Sequence, residues 1–260
     1  MRCKELLNEI EAVYPKETAL DFDNVGLLCG SYQKEVKKLY LALDASETVI
    51  DAAIEWGADL LITHHPLIFS PLKAITDADY TGRRLIKLIQ SGMSYYAMHT
   101  NYDVMGMAEL SANILGLDRQ EVLDETVTIE GAPAGIGRIG FLPEPQTLLE
   151  CCEYVKQKLK LEQVRVFGNL TQEVLRLAIS PGSGKSAIAP AMEKGADVLV
   201  TGDITYSCGL DAMEQGLAVI DAGHYGTEYI FIEDIKSFLL SKGFELEIQT
   251  AEIINPFQTV

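Results

Sequence analysis

The residues best suited to chemistry are the four histidines, because each follows a stretch that is typical of a buried β-strand. His64 and His65 follow Leu60–Thr63, His99 follows Ser94–Met98, and His224 follows Ala218–Asp221. A single histidine is most often a hydrogen-bonded structural residue. Four in like positions indicate a shared site, because ligands of parallel sheets gather beyond the carboxyl ends of the strands.

Two carboxylates stand at a fixed spacing from these histidines. Asp103 follows His99 by four residues, and Glu228 follows His224 by four residues. Imidazole and carboxylate together suit zinc, iron, manganese or nickel. Three histidines and two carboxylates exceed the needs of one tetrahedral ion, whereas carboxylates can bridge two ions about 3.5–4 Å apart. The set therefore predicts a dinuclear centre with two divalent ions per chain.

The adjacent pair His64 and His65 restricts how such a centre is built. Neighbouring side chains on an extended backbone point in opposite directions, and Pro66 keeps His65 extended. The two imidazoles are therefore not expected to chelate one ion together. Either each binds a different ion, or one is a ligand and the other supports it.

Three segments recur in the same order, which indicates an internal duplication. GADLLIT at 57–63 matches GADVLVT at 195–201, 138 residues later. LYLALDA at 39–45 matches LRLAISP at 175–181 with an offset of 136, and GMSYYAMH at 92–99 matches GLAVIDAGH at 216–224 with offsets of 124 to 125. On this alignment, His224 takes the place in the second repeat that His99 holds in the first.

Each repeat alternates short apolar strands with helices, which favours mostly parallel sheets. The predicted helices 47–56 and 186–194 are each followed by a glycine, Gly57 and Gly195, as expected where a helix ends in a left-handed residue. We therefore predict an α/β fold of two similar lobes, residues 1–126 and 127–260, with the metal site between the lobes.

Composition excludes several classes of protein. The 260 residues are 48% hydrophobic and carry a net charge of -17, which disfavours nucleic-acid binding through a basic face. The five cysteines form no CxxC pair, and we expect buried, reduced thiols. No apolar stretch is long enough for a transmembrane helix, and Met1 to Tyr14 has no signal-peptide core. We expect a cytoplasmic protein.

Taken together, these motifs resemble the Nif-three-like family, whose bacterial members are often named GTP cyclohydrolase I type 2 homologues. The resemblance covers nearly the whole chain. Its matching pieces are Asp23-Asn24-Val25-Gly26-Leu27, Thr63-His64-His65-Pro66, His99-Thr100-Asn101-Tyr102-Asp103, Thr201-Gly202-Asp203 and Gly223-His224-Tyr225-Gly226-Thr227-Glu228.

The resemblance implies a dinuclear metal centre and a ring-shaped homohexamer. It assigns the ligand role to His64, His65, Asp103, His224 and Glu228. His99 is then a supporting group or a proton shuttle. The chain looks like a compact member, because the segment from Thr126 to Gln172 is too short for the extra domain of longer relatives. Many relatives also carry a histidine where this chain has Ser207, which puts a metal or substrate role of that loop in doubt.

Three functions remain open at this point. The first is a metal-dependent hydrolase on a small, nucleotide-like substrate, with opening of the GTP imidazole ring as the reaction that the family name suggests. The second is a non-catalytic metal-binding oligomer that serves as a scaffold. The third is a ring that associates with nucleic acid, which the net charge disfavours.

Three further motifs have structural explanations as well as functional ones. Pro181-Gly182-Ser183-Gly184-Lys185-Ser186 ends in GKS but has Ile179 where a P-loop needs glycine, so a tight strand-to-helix turn is expected. Asp44 is either a helix cap or a group that supports the metal site. The segment Asp21–Asn24 either lines a site or forms a polar turn.

Overall fold

The computed structural model of the chain describes residues 1–257. The chain forms two compact units, each with its own sheet. Unit 1 contains Met1–Tyr102 and Ile230–Ile253, and unit 2 contains Asp103–Tyr229 and the described residues from Ile254 onward. No helix within residues 1–257 has the length and hydropathy needed to cross a bilayer.

Helices and strands alternate along most of the chain. The helices are α1 Cys3–Glu11, α2 Glu47–Trp56, α3 Tyr80–Ser91, α4 Thr100–Tyr102, α5 Ala108–Ile114, α6 Leu148–Lys158, α7 Ile188–Glu193, α8 Tyr206–Glu214, α9 His224–Glu228 and α10 Ile230–Ser241. The strands are β1 Gly26–Cys29, β2 Lys38–Ala42, β3 Leu60–Thr63, β4 Ser94–Ala97, β5 Asp118–Ile129, β6 Ala132–Thr147, β7 Arg165–Phe167, β8 Glu173–Ser183, β9 Val198–Gly202, β10 Ala218–Asp221 and β11 Glu247–Thr250.

The sheet of unit 1 is mostly parallel, as the alternation predicts. Its order is β1-β4-β3-β2-β11, and only β1 runs antiparallel to its neighbour. All residues of β3 are buried. This burial explains why the strand is an uninterrupted apolar run and does not alternate between apolar and polar residues.

The sheet of unit 2 is mixed, which corrects the prediction of mostly parallel sheets. Its order is β5-β6-β8-β9-β10-β7, and only β8, β9 and β10 pair in parallel. The hairpin β5–β6 and the edge strand β7 add antiparallel pairs. On β9, Val198 and Val200 pack in a core cluster with Cys151 and Val155 of α6. Leu199 belongs to a separate cluster with residues of α7 and α8.

Local sequence explains where the helices begin and end. The Oγ of Ser46 accepts a hydrogen bond from the backbone N–H of Val49 at 3.2 Å and caps α2, and Gly57 follows the helix with a φ of 80°. The predicted helix 186–194 is instead a 3-10 turn, Gly184–Ala187, followed by the short α7. Gly195 follows α7 with a φ of 68°, which confirms the predicted left-handed glycine after this helix.

The two units share a topology, and this supports the predicted duplication. Unit 1 has the order α1–β1–β2–α2–β3–α3–β4, and unit 2 has the order α6–β7–β8–α7–β9–α8–β10. In both, the last of three parallel strands pairs with an antiparallel strand that precedes the first. The chain is thus an α/β protein with two related sheets.

The sheet register corrects the alignment of the repeats. Leu39 pairs with Leu60 in unit 1, and Leu177 pairs with Val198 in unit 2. The first parallel strands therefore correspond with an offset of 138, not 136.

The third parallel strands correct the place of His224. Thr63 pairs with Ala97, and Thr201 pairs with Asp221, which fixes an offset of 124 for these strands. At this offset His224 corresponds to Thr100. His224 therefore lies one residue beyond the position of His99, where the sequence alignment had equated the two.

The units also have different bounds from the predicted lobes 1–126 and 127–260. Two features of the sheets explain the difference. The segment after Asp103 leads into β5, which pairs with β6 of unit 2. Near the C-terminus, the chain returns to unit 1, where β11 pairs with β2.

An aspartate at the same place in each repeat holds two strands together. The carboxylate of Asp59 accepts the backbone N–H groups of Lys37 and Lys38 at 2.9 and 3.0 Å. The carboxylate of Asp197 accepts those of Leu175 and Arg176 at 2.9 and 2.7 Å.

We expect Asp197→Ala to destabilise unit 2, because it removes the acceptor of two backbone N–H groups at the start of β8. The loss in the free energy of unfolding should be on the order of 1–3 kcal/mol. Urea denaturation measures it. Asp211→Ala, at an exposed residue of α8, is the control and should change stability by less than about 0.5 kcal/mol. Equal effects of the two substitutions would contradict this account of Asp197.

Candidate metal centre

Three imidazoles cluster at the carboxyl ends of β3 and β4 in unit 1. The ring centroid of His64 lies 5.1 Å from that of His65 and 5.2 Å from that of His99, and His65 and His99 are 5.7 Å apart. One ring nitrogen from each lies within 4.8 Å of the others. The predicted gathering of histidines at strand ends is therefore present in this unit.

Each ring of this cluster is oriented through its Nδ1 atom. The partners are the backbone carbonyl of Met98 for His64 at 2.8 Å, a carboxylate oxygen of Asp44 for His65 at 2.8 Å, and the carboxylate of Asp23 for His99 at 2.9 Å. All three partners only accept, so Nδ1 donates in each case. The lone pair of each neutral ring therefore lies on Nε2, the atom that would bind a metal.

Asp23 connects the cluster to the loop before β1. Its side chain is fully buried, and it accepts hydrogen bonds from His99 and from the N–H and hydroxyl of Thr100. Burial by itself raises the pKa of Asp23, but the hydrogen bonds and the charge of His99 outweigh burial and hold this pKa well below its usual range. Asp23 is therefore ionised and supports His99, so the segment Asp21–Asn24 is more than a polar turn.

The turn that carries His65 is fixed by a buried tyrosine. The hydroxyl of Tyr95 donates to the carbonyl of His65 at 3.0 Å and accepts the N–H of Leu67 at 2.8 Å. Burial is the main cause that raises the pKa of Tyr95 to about 12, so its hydroxyl keeps its proton. Asp44 supports the same residue from the other side. It does not cap α2, because Ser46 is the cap.

Unit 2 holds a second group of candidate ligands around α9. The Nε2 of His224 lies 3.0 Å from a carboxylate oxygen of Glu228, and its Nδ1 lies 2.7 Å from the carboxylate of Asp203. Burial lowers the pKa of His224, but hydrogen bonds and charges of Glu228 and Asp203 together raise it to about 9. In the protein without metal, His224 is therefore an imidazolium whose Nδ1–H donates to Asp203 and whose charge is paired with Glu228.

Asp103 lies in the same unit and near the same carboxylate. It begins a π-helical turn, Asp103–Met107, a conformation that is frequent at functional sites. One of its carboxylate oxygens and one of Glu228 lie within 4.8 Å of each other. Unit 2 thus brings Asp103, His224 and Glu228 together, and unit 1 brings His64, His65 and His99 together.

A glycine leaves space beside the ligand atoms of unit 2. A Cβ atom at Gly182 would lie 2.2 Å from Oε1 of Glu228 and 3.5 Å from Nε2 of His224. The same residue has a φ of 75°, and its N–H donates to the hydroxyl of Thr227 at 2.9 Å. The glycine-rich segment forms the end of β8 and the 3-10 turn that follows, and Gly182 borders the candidate ligands. This fits a metal ion bound by His224 and Glu228.

Sequence reasoning missed Asp203 and underrated Asp23. At the offset of 138, Asp203 corresponds to His65, which makes it a position where a ligand-type residue is expected. The match of GADLLIT with GADVLVT at the offset of 138, continued by two residues, is thus the signal that could have identified it. Ser207, where many relatives have histidine, is an exposed residue in the first turn of α8.

Gly182→Ala should displace Glu228 and lower divalent metal binding, because the added methyl group overlaps its carboxylate. Gly216→Ala is the matched control: its φ of 91° imposes the same backbone strain, but nothing lies within 4 Å of the added Cβ. Both variants should lose on the order of 1 kcal/mol of stability. Only Gly182→Ala should lose metal in titrations with Zn²⁺. Equal losses of metal in the two variants would show that backbone strain alone is responsible.

The protein without metal should become less stable as pH rises. The pKa of His224 is raised from its ordinary 6.5 to about 9, so its stabilising charge is fully present below about 6.5 and is lost as pH rises through about 9. Zn²⁺ affinity should rise over the same range, by up to about tenfold per pH unit, because the ion must displace this proton.

Thermal melts and calorimetric titrations between pH 6 and 9 measure both trends. The control is His224→Gln, in which the melting temperature of the metal-free protein should depend less on pH. If this variant keeps the full pH dependence, another group is responsible for it.

Comparison with known proteins gives one family. The family model described as Duf34/NIF3 (NGG1p interacting factor 3) matches residues 1–256. A Clostridium perfringens protein named GTP cyclohydrolase 1 type 2 homolog is 37% identical over 231 residues, which cover 88% of this chain and 87% of that protein. A protein of the same name from Streptococcus pneumoniae is 35% identical over 271 residues and covers 100% of both chains.

Solved structures agree with this similarity. The structure of a Bacillus cereus protein related to NIF3 superposes with a TM-score of 0.92 at 28% identity, covering 100% of this chain and 99% of that one. A relative from Bacillus subtilis aligns over 364 positions, against the 260 residues of this chain, so it carries residues that this compact chain lacks. With the family model matched from residue 1 to 256, the chain belongs to the Duf34/NIF3 family.

Proposed function

We propose that this chain binds two divalent metal ions and acts as a metal-dependent hydrolase on a small, nucleotide-like substrate. The proposed ligands are His64 and His65 of unit 1 with Asp103, His224 and Glu228 of unit 2. The observation that carries the proposal is the orientation of the imidazoles. His64, His65 and His224 each have Nδ1 held by an oxygen atom, and this arrangement is usual for histidines whose Nε2 binds a metal.

The donor set limits which ions fit. Imidazole nitrogens with carboxylate oxygens suit zinc, iron, manganese and nickel, and affinity order alone does not select among them. A divalent ion held by these residues would supply a Lewis acid and could lower the pKa of a bound water to about 7. His224 must give up its Nε2 proton to bind, and the carboxylate of Asp203 then keeps the ring in place through Nδ1.

His99 is suited to move protons beside these ligands. Its Nδ1–H is held by the ionised, buried Asp23, which stabilises a positive charge on the ring when Nε2 accepts a proton. Its side chain is 18% exposed, so a substrate can approach it. We therefore assign to His99 the transfer of one proton at Nε2, the role of a general acid or base.

The names of relatives suggest which substrate to test first. The Clostridium perfringens and Streptococcus pneumoniae proteins are named GTP cyclohydrolase 1 type 2 homologs, so GTP is the first candidate and phosphoesters follow. A homohexamer also remains part of the proposal. Native mass spectrometry of the purified chain would give its oligomeric state and its metal content together.

We expect two ions per chain in the wild type, measured by elemental analysis. His65→Ala and Glu228→Gln should each bind fewer ions, whichever unit carries the substitution. Glu214→Gln, at an exposed glutamate at the end of α8, is the matched control for Glu228→Gln and should bind as many ions as the wild type. Unchanged metal content in both ligand variants would refute the metal site.

Activity separates the enzyme from a metal-binding scaffold. His99→Gln should retain both ions and lose about 10²–10⁴-fold in turnover of whichever substrate the wild type converts. If the wild type binds two ions but converts neither GTP nor any phosphoester, the hydrolase proposal fails and a non-catalytic metal-binding oligomer is the better hypothesis.

A further inference from the structure

Two phenylalanines stand exposed on unit 1, side by side. Phe22 is 61% exposed and Phe69 is 51% exposed, and their ring centroids lie 6.1 Å apart at an angle of 46°. Phenylalanine is among the residues most often buried, because covering its ring removes a large apolar area from water. Two neighbouring rings that remain exposed indicate a surface prepared for an apolar or aromatic group.

Hydrogen bonds hold the residue that follows Phe22 and the residue that precedes Phe69. Asp23, next to Phe22, accepts hydrogen bonds from His99 and Thr100. Asn24 donates through its side-chain amide to the carbonyl of Ile68 at 2.6 Å, and Ile68 precedes Phe69. The loop before β1 and the loop after β3 are thus joined to each other and to the histidine cluster. The backbone that carries the two rings is therefore restrained, which lowers the entropy cost of binding.

The pair borders the histidine cluster directly. The ring of Phe69 meets that of His99 edge to face at a centroid distance of 6.4 Å. A planar group stacked on Phe69 would therefore lie close to His99, to which we assign proton transfer. Because Phe69 contacts His99, we favour a role of the aromatic pair in binding a substrate over a purely structural role.

We propose that Phe22 and Phe69 form a binding subsite for a planar heteroaromatic ring, such as a nucleobase, on the substrate of this site. The inference rests on the proposed function for the chemistry but on separate residues for the binding. Aromatic faces attract flat rings whatever their hydrogen-bonding pattern, whereas a phosphate would require cations. The subsite therefore selects for the ring of a nucleotide and leaves its phosphates to other groups.

Binding of guanosine and of ribose to the full-length protein tests the subsite, by calorimetry or ligand-observed NMR, with Zn²⁺ and after metal removal. The wild type should bind guanosine and not ribose. Phe69→Ala and Phe22→Ala should each weaken guanosine binding on the order of tenfold, whereas Phe69→Tyr should retain it. Tyr80→Ala is the matched control, since Tyr80 is 62% exposed but its ring lies against the guanidinium of Arg84, and this variant should bind as the wild type does.

Metal content and oligomeric mass of the same variants separate the possible failures. If Phe69→Ala binds guanosine as the wild type does, or if the wild type binds none, the subsite is refuted. If Phe69→Ala instead changes the oligomeric mass and leaves guanosine binding intact, the pair is an interface between copies of the chain, which also refutes it. Loss of guanosine binding in Phe69→Ala supports the subsite even if the wild type binds no metal, a result that would refute only the proposed function.

Discussion

Parallel pairing of three neighbouring strands is the constraint on which both candidate ligand groups depend. In unit 1, β2, β3 and β4 end at one edge of the sheet, so Asp44, His65 and His99 come together although they are far apart in sequence. In unit 2, β8, β9 and β10 do the same for Gly182, Asp203 and His224. The carboxylates of Asp59 and Asp197 add to this pairing, because each accepts backbone N–H groups at the start of the neighbouring strand. The backbone hydrogen bonds of the two sheets thus determine where the candidate ligands and the residues that orient them come together.

The two repeats use one backbone for two kinds of side chain. At the offset of 138, His65 corresponds to Asp203. Unit 1 therefore has a histidine at the end of its second parallel strand and an aspartate that orients it. Unit 2 has Asp203 at the equivalent strand end, and this aspartate orients His224, the first residue of α9. In both cases a carboxylate accepts Nδ1–H, because an imidazole that donates there is held in one orientation and one tautomer.

Much of this arrangement could be predicted from the sequence, and the rest could not for physical reasons. Apolar runs bounded by glycine identify buried strands, so the histidines at their ends were predictable. The register was not, because LYLALDA and LRLAISP agree best with an offset of 136 while the hydrogen bonds of the sheets require 138. The role of Asp23 was not predictable either. Asp23 and His99 are 76 residues apart in the sequence. Asp23 precedes β1 and His99 follows β4, and these two strands pair antiparallel, which the sequence did not reveal.

Space beside the ligands follows from the same correspondence. Gly202 corresponds to His64 at the offset of 138, and a Cβ at Gly202 would lie 2.4 Å from the backbone nitrogen of His224. Gly182, at the end of β8, likewise lets the carboxylate of Glu228 approach closely. Unit 2 thus has glycine at one position where unit 1 has a ligand-type side chain, and a second glycine at Gly182, so that α9 can lie close to the ends of β8 and β9. The repeats therefore differ at the position of His64: unit 1 keeps a polar side chain there, whereas unit 2 has Gly202, which leaves room for α9 to present His224 and Glu228.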